Sequence, residues 1–175
     1  VNPYPYEFNV THSTSDITKD KVDKKVSVAG RVMSLRKMGK AAFANIQDAH
    51  GRVQLYIARD DVGEDNYSLF KLVDIGDFIG IDGVVFITKT DELTVKAENV
   101  TMLSKNLRPI PDVKEKDGEK YNSVSDKELR YRKRYLDMII NPETKDNYIK
   151  RFKIINSIRE FLNKNGYIEV ETPVL

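Results

Sequence analysis

The stretch VSVAGRVMSLRKMGKAAFANIQDAHGRVQLYIA, residues 26–58, carries the alternation that decides the fold of this chain. Small or aliphatic residues occupy every second position in two runs: Ala42, Ala44 and Ile46, then Val53, Leu55 and Ile57. Because successive side chains of a strand point to opposite faces, this spacing predicts strands with one buried and one exposed face. The turn at residues 48–51 joins two of them, and Gly30 is expected to mark a bulge in the strand before them.

The pattern continues with a short helix predicted at residues 66–73 and two further strands predicted at residues 78–88 and 93–103. The last two strands form a hairpin around Thr90-Asp91, and Gly83 is a second candidate bulge. The order is three strands, a helix and two strands. The fold class predicted is therefore mainly β, a five-stranded OB-fold barrel with a short helix between strands 3 and 4, an architecture commonly used to bind oligonucleotides.

If the apolar residues of the second and third strands face inward, Phe43, Gln54 and Tyr56 must face outward. A phenylalanine on a polar outer surface is suited to stacking against a base. The alternative is that the N-terminal segment or a loop covers Phe43, and the residues alone leave the two equally open; the fold context favours stacking.

The neighbours of Phe43 carry the chemistry that base recognition requires. Gln54 offers both a donor and an acceptor to a base edge, and Glu92, in the turn between the last two strands, offers an acceptor. Arg31 and Arg36 flank the first loop, where Arg36 adds positive charge for phosphates together with Lys37 and Lys40. Each lysine taken singly is more simply an ordinary solvated charge.

A connector and the start of another domain are predicted after the barrel. Prolines and the charged run at residues 114–118 indicate a linker, followed by a helix at residues 129–140 whose basic residues are interpreted as a charged helix face. The last helix begins at Asn141-Pro142 with an apolar stripe, and Gly166 is its predicted left-handed cap. A short strand at residues 167–171, closed by Pro173, is expected next.

Composition excludes several function classes. The net charge of +2 gives no strong global signal for nucleic acid, and the absence of cysteine excludes disulfides, thiol catalysis and cysteine-ligated metals. His12 and His50 lie in polar turns with no second ligand at metal spacing, so no metal site is expected. No apolar run approaches the roughly 20 residues of a membrane span and no secretory signal opens the chain, which predicts a cytoplasmic protein without a membrane partner.

Several blocks, in order, resemble the anticodon-binding domain of class IIb aminoacyl-tRNA synthetases. These blocks are Gly30–Val32, Met38–Phe43, Ile46–Asp48, Gly51–Tyr56 and Gly76–Gly80. Within the subclass, residues 89–93, 103–111 and 129–137 are most similar to the lysyl-tRNA synthetase family, although Asp91 stands where a glycine is usual. The last helix with Gly166, a short acidic strand and Pro173 resembles motif 1 of class II, the segment that builds the dimer interface. The resemblance runs from about Tyr4 to Leu175.

The resemblance implies roles for individual residues. Phe43 would stack on an anticodon base, Gln54 and Glu92 would help to read uridines, and Arg36 and Arg31 would lie beside them. Motif 1 would contribute to a homodimer interface through Phe152, Ile155 and Pro173. No catalytic residue and no metal ligand is assigned to this chain.

The resemblance also implies an enzyme, a lysine–tRNA ligase that activates lysine with ATP and magnesium and transfers it to tRNA(Lys), whose anticodon arm is the expected partner. Its catalytic motifs 2 and 3 would lie beyond Leu175, so neither cofactor is expected to bind here. The predicted domains are an N-terminal extension (1–24), the OB-fold anticodon-binding domain (25–104), a linker (105–127) and the truncated start of the catalytic domain (128–175).

Two alternatives remain. One is an aspartyl- or asparaginyl-type fragment of the same subclass, which the block Leu107-Arg108-Pro109 disfavours. The other is a non-catalytic single-strand-binding OB module, which has no use for the motif 1 segment.

Overall fold

A closed barrel of five strands forms the first half of the chain in this computed structural model, which describes residues 5, 7–110, 113–116, 119–122 and 127–173. The strands are β1 (Lys25–Met38), β2 (Ala41–Gln47), β3 (Arg52–Ala58), β4 (Phe78–Ile87) and β5 (Leu93–Ser104). They run in the order β1-β2-β3-β5-β4, and β4 pairs with β1 to close the ring. Parts of the predicted extension, linker and motif 1, at residues 1–4, 6, 111–112, 117–118, 123–126 and 174–175, lie outside the described residues.

The inner face of the barrel confirms the alternation. The aliphatic residues at positions 42, 44, 46, 53, 55 and 57 are all buried, and the residues between them on β2 and β3 are more exposed. Two short helices, α1 (Arg59–Val62) and α2 (Glu64–Lys71), connect β3 to β4, which confirms the predicted element order with the helix beginning earlier than expected. Tyr67 and Phe70 of α2 join the barrel core.

The two predicted bulges have different outcomes. The β4–β5 register shifts between Asp82 and Gly83, which confirms the bulge there, and the unpaired extra residue is Glu98 on β5. The bulge predicted at Gly30 is wrong, because Gly30 pairs regularly with β4 and the extra residue of β1 is Met33. A Cβ at Gly30 would lie 2.8 Å from the carbonyl oxygen of Gln47, so this glycine permits a close approach of two strands.

The described N-terminal residues pack on the barrel, and none of them lines the surface around Phe43. The ring of Phe8 lies over Gly80, and Thr14 donates from its backbone N–H and its hydroxyl to Asp48 at 2.7 and 2.6 Å. Asp48 also accepts hydrogen bonds from the N–H groups of His50 and Gly51, which closes the predicted turn. Burial raises the pKa of Asp48, but the bonds from Thr14 and the turn outweigh it and lower the pKa below its usual value.

A second compact unit covers residues 111–175. It contains a hairpin of β6 (Val113–Lys116) and β7 (Glu119–Asn122), which falls in the predicted linker and was missed. Three helices follow: α3 (Lys127–Arg132), α4 (Arg134–Ile140) and α5 (Pro142–Lys164). The single helix predicted at residues 129–140 is therefore wrong, since Lys133 departs from helical geometry with φ −115° and ψ 56°.

The break between α3 and α4 surrounds a buried carboxylate. Asp137 is fully buried, and it accepts hydrogen bonds from Arg130, Arg134 and Asn141 at 2.9, 2.7 and 2.6 Å. Burial raises the pKa of Asp137, but the bonds from Asn141 and the two arginines lower it below its usual value. Arg130 and Arg134, two of the basic residues of this segment, thus hold Asp137 inside the unit.

The residues at the end of α5 confirm one prediction and contradict another. Gly166 has φ +83°, the left-handed conformation expected of a helix cap. The strand predicted at residues 167–171 is absent from the described part of the chain, where these residues lack strand pairing. A strand is stabilised by hydrogen bonds to a neighbouring strand, and no described strand pairs with this segment.

Candidate nucleic-acid interface

An open groove of about 550 Å³ lies on the outer face of the barrel, beside the loop between β4 and β5. Its lining is Ser34, Leu35, Arg36, Phe43, Asn45, Gln54, Thr88, Thr90 and Glu92. Strand register explains the grouping, because Arg36 of β1 pairs with Phe43 of β2, and Asn45 of β2 pairs with Gln54 of β3. Four predicted site residues, Arg36, Phe43, Gln54 and Glu92, are therefore brought together in one groove.

A hydrogen-bonded chain fixes the polar side of this groove. Gln54 donates from Nε2 to Oε2 of Glu92 at 2.6 Å, and it accepts at Oε1 from the hydroxyl of Thr94 at 2.7 Å. Thr94 is fully buried, so its hydroxyl needs a partner inside the barrel wall. The amide of Gln54 is held in one orientation from both ends.

This orientation sets what the groove offers to a ligand. One N–H of Gln54 is used by Glu92 and its oxygen by Thr94, which leaves the second N–H as a donor. The carboxylate of Glu92 keeps further lone pairs as acceptors. The groove thus presents a donor beside a negatively charged acceptor, a pair that matches the adjacent O4 acceptor and N3–H donor of a uracil.

The turn before Glu92 accommodates the departure from the resembled family. Asp91 adopts φ +59°, a left-handed conformation that glycine reaches without strain and that aspartate is among the few other residues to tolerate. The hydroxyl of Thr88 accepts a hydrogen bond from the N–H of Glu92 at 3.0 Å and closes the turn. Glu92 therefore reaches Gln54 without a glycine at position 91.

Phe43 is partly exposed, and other aromatic side chains pack beside it. Its ring centroid lies 5.1 Å from that of Tyr56, and Tyr56 lies 6.1 Å from Phe86 in an edge arrangement. These three rings form an aromatic row across β2, β3 and β4. The row holds Phe43 in place and leaves it on the wall of the groove.

Arg31 lies outside this groove. Its guanidinium stacks 4.2 Å from the ring centroid of Phe78 and donates to the carbonyl oxygen of Gly76 at 3.1 Å. Burial lowers the pKa of Arg31. The structure does not bring Arg31 together with Arg36, and its predicted role in binding stays a prediction.

Two other polar side chains near β1 serve the barrel itself. Lys37 donates to the carbonyl oxygens of Lys71 and Val73, which ties the end of β1 to α2. Asn45 donates to the hydroxyl of Ser34 at 2.9 Å. The sequence did not identify Thr94, Thr88 and Phe86 as parts of the site. For Thr94 a signal was available, since it is a threonine at a buried strand position.

The predicted dimer residues all lie in the second unit. Phe152 and Ile155 of α5 are 61% and 37% exposed, and Pro173 is also exposed. No residue of α5 is buried within the described structure.

Among the described residues, no helix combines the length and the hydrophobicity that a transmembrane span needs. No cluster of three or more His, Asp or Glu side chains in the same ranges is arranged to hold a metal ion.

Comparison with known proteins gives two family matches. Residues 26–103 match the family described as an OB-fold nucleic acid binding domain, and residues 126–175 match the class II tRNA synthetases (D, K and N). The second match separates the chain from a stand-alone OB module.

Curated relatives extend over the whole chain. It is 51% identical over all its length to the Lysine–tRNA ligase of Azobacteroides pseudotrichonymphae, of which it covers 37%. It is 45% identical to that of Bacillus cereus and 47% identical to that of Porphyromonas gingivalis, covering 36% and 32% of them. The chain thus spans about a third of the length of these relatives. Over its whole length the chain is therefore similar to lysine–tRNA ligases, and its two parts match an OB-fold nucleic acid binding domain and the class II tRNA synthetases (D, K and N).

Proposed function

We propose that the groove on the barrel binds the anticodon arm of tRNA(Lys) and reads its uridines. The observation that supports this most is the convergence of Arg36, Phe43, Gln54 and Glu92, which come from three different strands and a turn, on one open groove. The anticodon is single-stranded, so its bases can be unstacked and presented to such a surface.

Each residue has a distinct part in the proposal. The ring of Phe43 stacks on a base, an interaction worth about 1–3 kcal/mol in single-strand binding. The free N–H of Gln54 donates to O4 of a uracil, and the Glu92 carboxylate accepts from N3–H. Arg36 is exposed at the rim and is placed to meet a phosphate.

We extend the proposal to a longer protein of the length of the relatives, of which this chain spans about a third. It activates lysine with ATP and magnesium to lysyl-adenylate and then transfers the lysyl group to tRNA(Lys). The names of the relatives and the class II match support this activity. No described residue of this chain forms a metal-binding cluster, and none is assigned to ATP or magnesium.

Homodimerisation belongs to the same proposal. The exposed apolar side chains of Phe152 and Ile155, with Pro173, would be covered by a second subunit in the longer protein. We also propose the cytoplasm as the compartment, because aminoacylation of tRNA supplies translation there and the relatives are lysine–tRNA ligases.

Competition titrations with paired RNA stem-loops test the reading of uridines. One loop carries a lysine anticodon of three uridines, and its partner carries cytidine at the central position. The chain is expected to prefer the uridine loop, and Gln54→Ala and Glu92→Ala are each expected to flatten that preference, because base-edge contacts carry the sequence information.

The matched control is Phe161→Ala, which removes an exposed aromatic ring from α5 in the other unit. It should leave both affinities unchanged. Equal losses for the two loops in Gln54→Ala and Glu92→Ala would contradict the proposal, since these residues would then add affinity without reading the base.

A further inference from the structure

The last residues of β1, 33–38, which we call the β1 end, have β2 as their only partner among the described strands. β4 pairs with β1 only as far as Arg31, and the extra residue Met33 marks the point where the β1 end begins. A bulge bends and twists its strand locally, so the free edge of the β1 end needs other contacts to fix its position. This position matters for the groove, because the β1 end carries Arg36.

The free edge of the β1 end is attached to the C-terminal end of α2. Lys37 donates from Nζ to the carbonyl oxygens of Lys71 and Val73 at 2.8 and 3.2 Å. The last carbonyl groups of a helix have no partner within the helix and lie at the negative end of its dipole, so an ammonium group is a favourable partner for them. Tyr67 of α2 holds the turn that follows, through a bond from its hydroxyl to the carbonyl oxygen of Gly39 at 2.8 Å.

Lys37 and its neighbour Arg36 face opposite sides of the β1 end. Successive side chains of a strand alternate, and Lys37 is bonded to α2 while Arg36 lines the groove. The described residues that line the groove include Arg36 but not Lys37. Two of the three N–H groups of the Lys37 ammonium are used by α2. The charge that the sequence associates with phosphates is therefore engaged within the barrel domain.

We propose that Lys37 is a positioning residue for the groove. By bonding to the end of α2 it fixes the β1 end where Arg36 meets the RNA backbone, and it does not contact the RNA itself. This inference rests on the proposed function, because Lys37 acts through the phosphate contact assigned to Arg36. Phe43 and Gln54 stand on β2 and β3, which pair with each other from end to end, so the reading of bases does not depend on Lys37.

A double-mutant cycle between Lys37 and Arg36 tests the inference. Stem-loops with uridine or cytidine at the central anticodon position are titrated by fluorescence anisotropy at several salt concentrations. The proteins are the chain, Lys37→Met, Arg36→Ala and the variant with both substitutions. Methionine keeps much of the aliphatic stem and removes the ammonium, and because Lys37 is exposed no cavity results.

Two further variants and a measurement of fold complete the design. Lys37→Arg keeps the positive charge and can donate to two carbonyl oxygens. Lys24→Met is the matched control, since it removes one exposed positive charge from the same barrel just before β1 begins. A thermal melt of every variant separates an effect on binding from an effect on stability.

Lys37→Met is expected to weaken both loops by the same factor of about 2- to 5-fold, the range of one exposed ion pair. The slope of log affinity against log salt should fall by up to about 0.7. The ratio of uridine to cytidine affinity should stay that of the parent chain. In the Arg36→Ala background the same substitution should cause no further loss, because the contact through which Lys37 acts is already absent. Lys37→Arg and Lys24→Met should bind as the parent does.

Three results would overturn this inference while the reading of uridines by Gln54 and Glu92 stands. An equal loss from Lys37→Met in the Arg36→Ala background would mean that Lys37 binds a phosphate directly. A lower melting temperature with unchanged affinity would mean that Lys37 serves the fold alone. An Arg36→Ala variant that binds as tightly as the parent would leave Lys37 no contact to act through. The proposed function fails on a separate result, a parent chain that binds the uridine loop no more tightly than the cytidine loop.

Discussion

Thr94→Val tests whether the fixed orientation of the Gln54 side-chain amide contributes to discrimination between bases. Valine keeps the shape of threonine and removes only the hydroxyl, which donates to Oε1 of Gln54 at 2.7 Å and lies 3.2 Å from the backbone carbonyl oxygen of Glu92. Thr94 is fully buried, so no cavity and no solvent path are created, and the loss is one neutral hydrogen bond, worth about 0.5–1.5 kcal/mol. Glu92 still holds the other end of the amide.

The expected result is a reduced preference between anticodons with little change in fold. With one end released, Gln54 spends less time with its free N–H directed at the base. The ratio of affinities for uridine and cytidine loops should fall by about 2- to 12-fold, which is the hydrogen-bond energy expressed as a ratio. Thr94→Ser retains the hydroxyl and should retain most of the ratio.

Anisotropy competition with the two stem-loops measures this ratio, and a thermal melt reports the fold. A melting temperature lowered by several degrees with an unchanged ratio would refute the reasoning, because Thr94 would then serve the barrel alone. A ratio lost equally in Thr94→Val and Thr94→Ser would also count against it, since the hydroxyl would not be the cause.

Three further predictions concern charge, pH and chemistry. Arg36→Ala should weaken binding to all anticodon loops by the same factor and reduce the slope of log affinity against log salt by about 0.7, as expected for one lost phosphate contact on a single strand and measurable by titration at several salt concentrations. The lowered pKa of Asp137 means that this carboxylate stabilises the fold above its unfolded pKa of about 3.9, and that the stabilisation is lost as the pH falls through the lower folded pKa. Amide exchange in α3–α5 should therefore accelerate below about pH 4. Asp137→Asn should remove this acceleration and cost about 1–3 kcal/mol of stability at pH 7. The 175-residue chain should show no lysine-dependent ATP–pyrophosphate exchange, and any rate above that of a sample without protein would contradict the assignment of catalysis to the rest of the longer protein.

The barrel was predictable because its signal is local. Period-two alternation in β2 and β3 identifies the buried face, and that face determines that Phe43 and Gln54 point outward. The position of the bulge in β1 was not predictable, since Met33 carries no mark of an extra residue, and Gly30 is required by close packing against Gln47.

The part of the site that was missed depends on contacts between distant segments. Thr94 contacts Gln54 because β3 pairs with β5 in parallel. Phe86 lies on β4, and its ring contacts Tyr56 of β3. Neither contact leaves a local pattern in the sequence. The helix break at Lys133 was also missed for this reason. It lies beside Asp137, which is buried and bonded to two arginines, but nothing in the sequence distinguishes Asp137 from an ordinary surface aspartate.

Photo-crosslinking tests the central claim, that the outer face of the barrel binds the anticodon bases, most directly. A stem-loop with 4-thiouridine at each anticodon position in turn is irradiated with the chain, and the crosslinked peptides are identified by mass spectrometry. Crosslinks are expected at residues 34–36, 43–56 and 86–96, and they should disappear when unlabelled uridine loop is added in excess. Crosslinks confined to α3–α5, or to the surface around Arg31 and Phe78 outside the groove, would contradict the account.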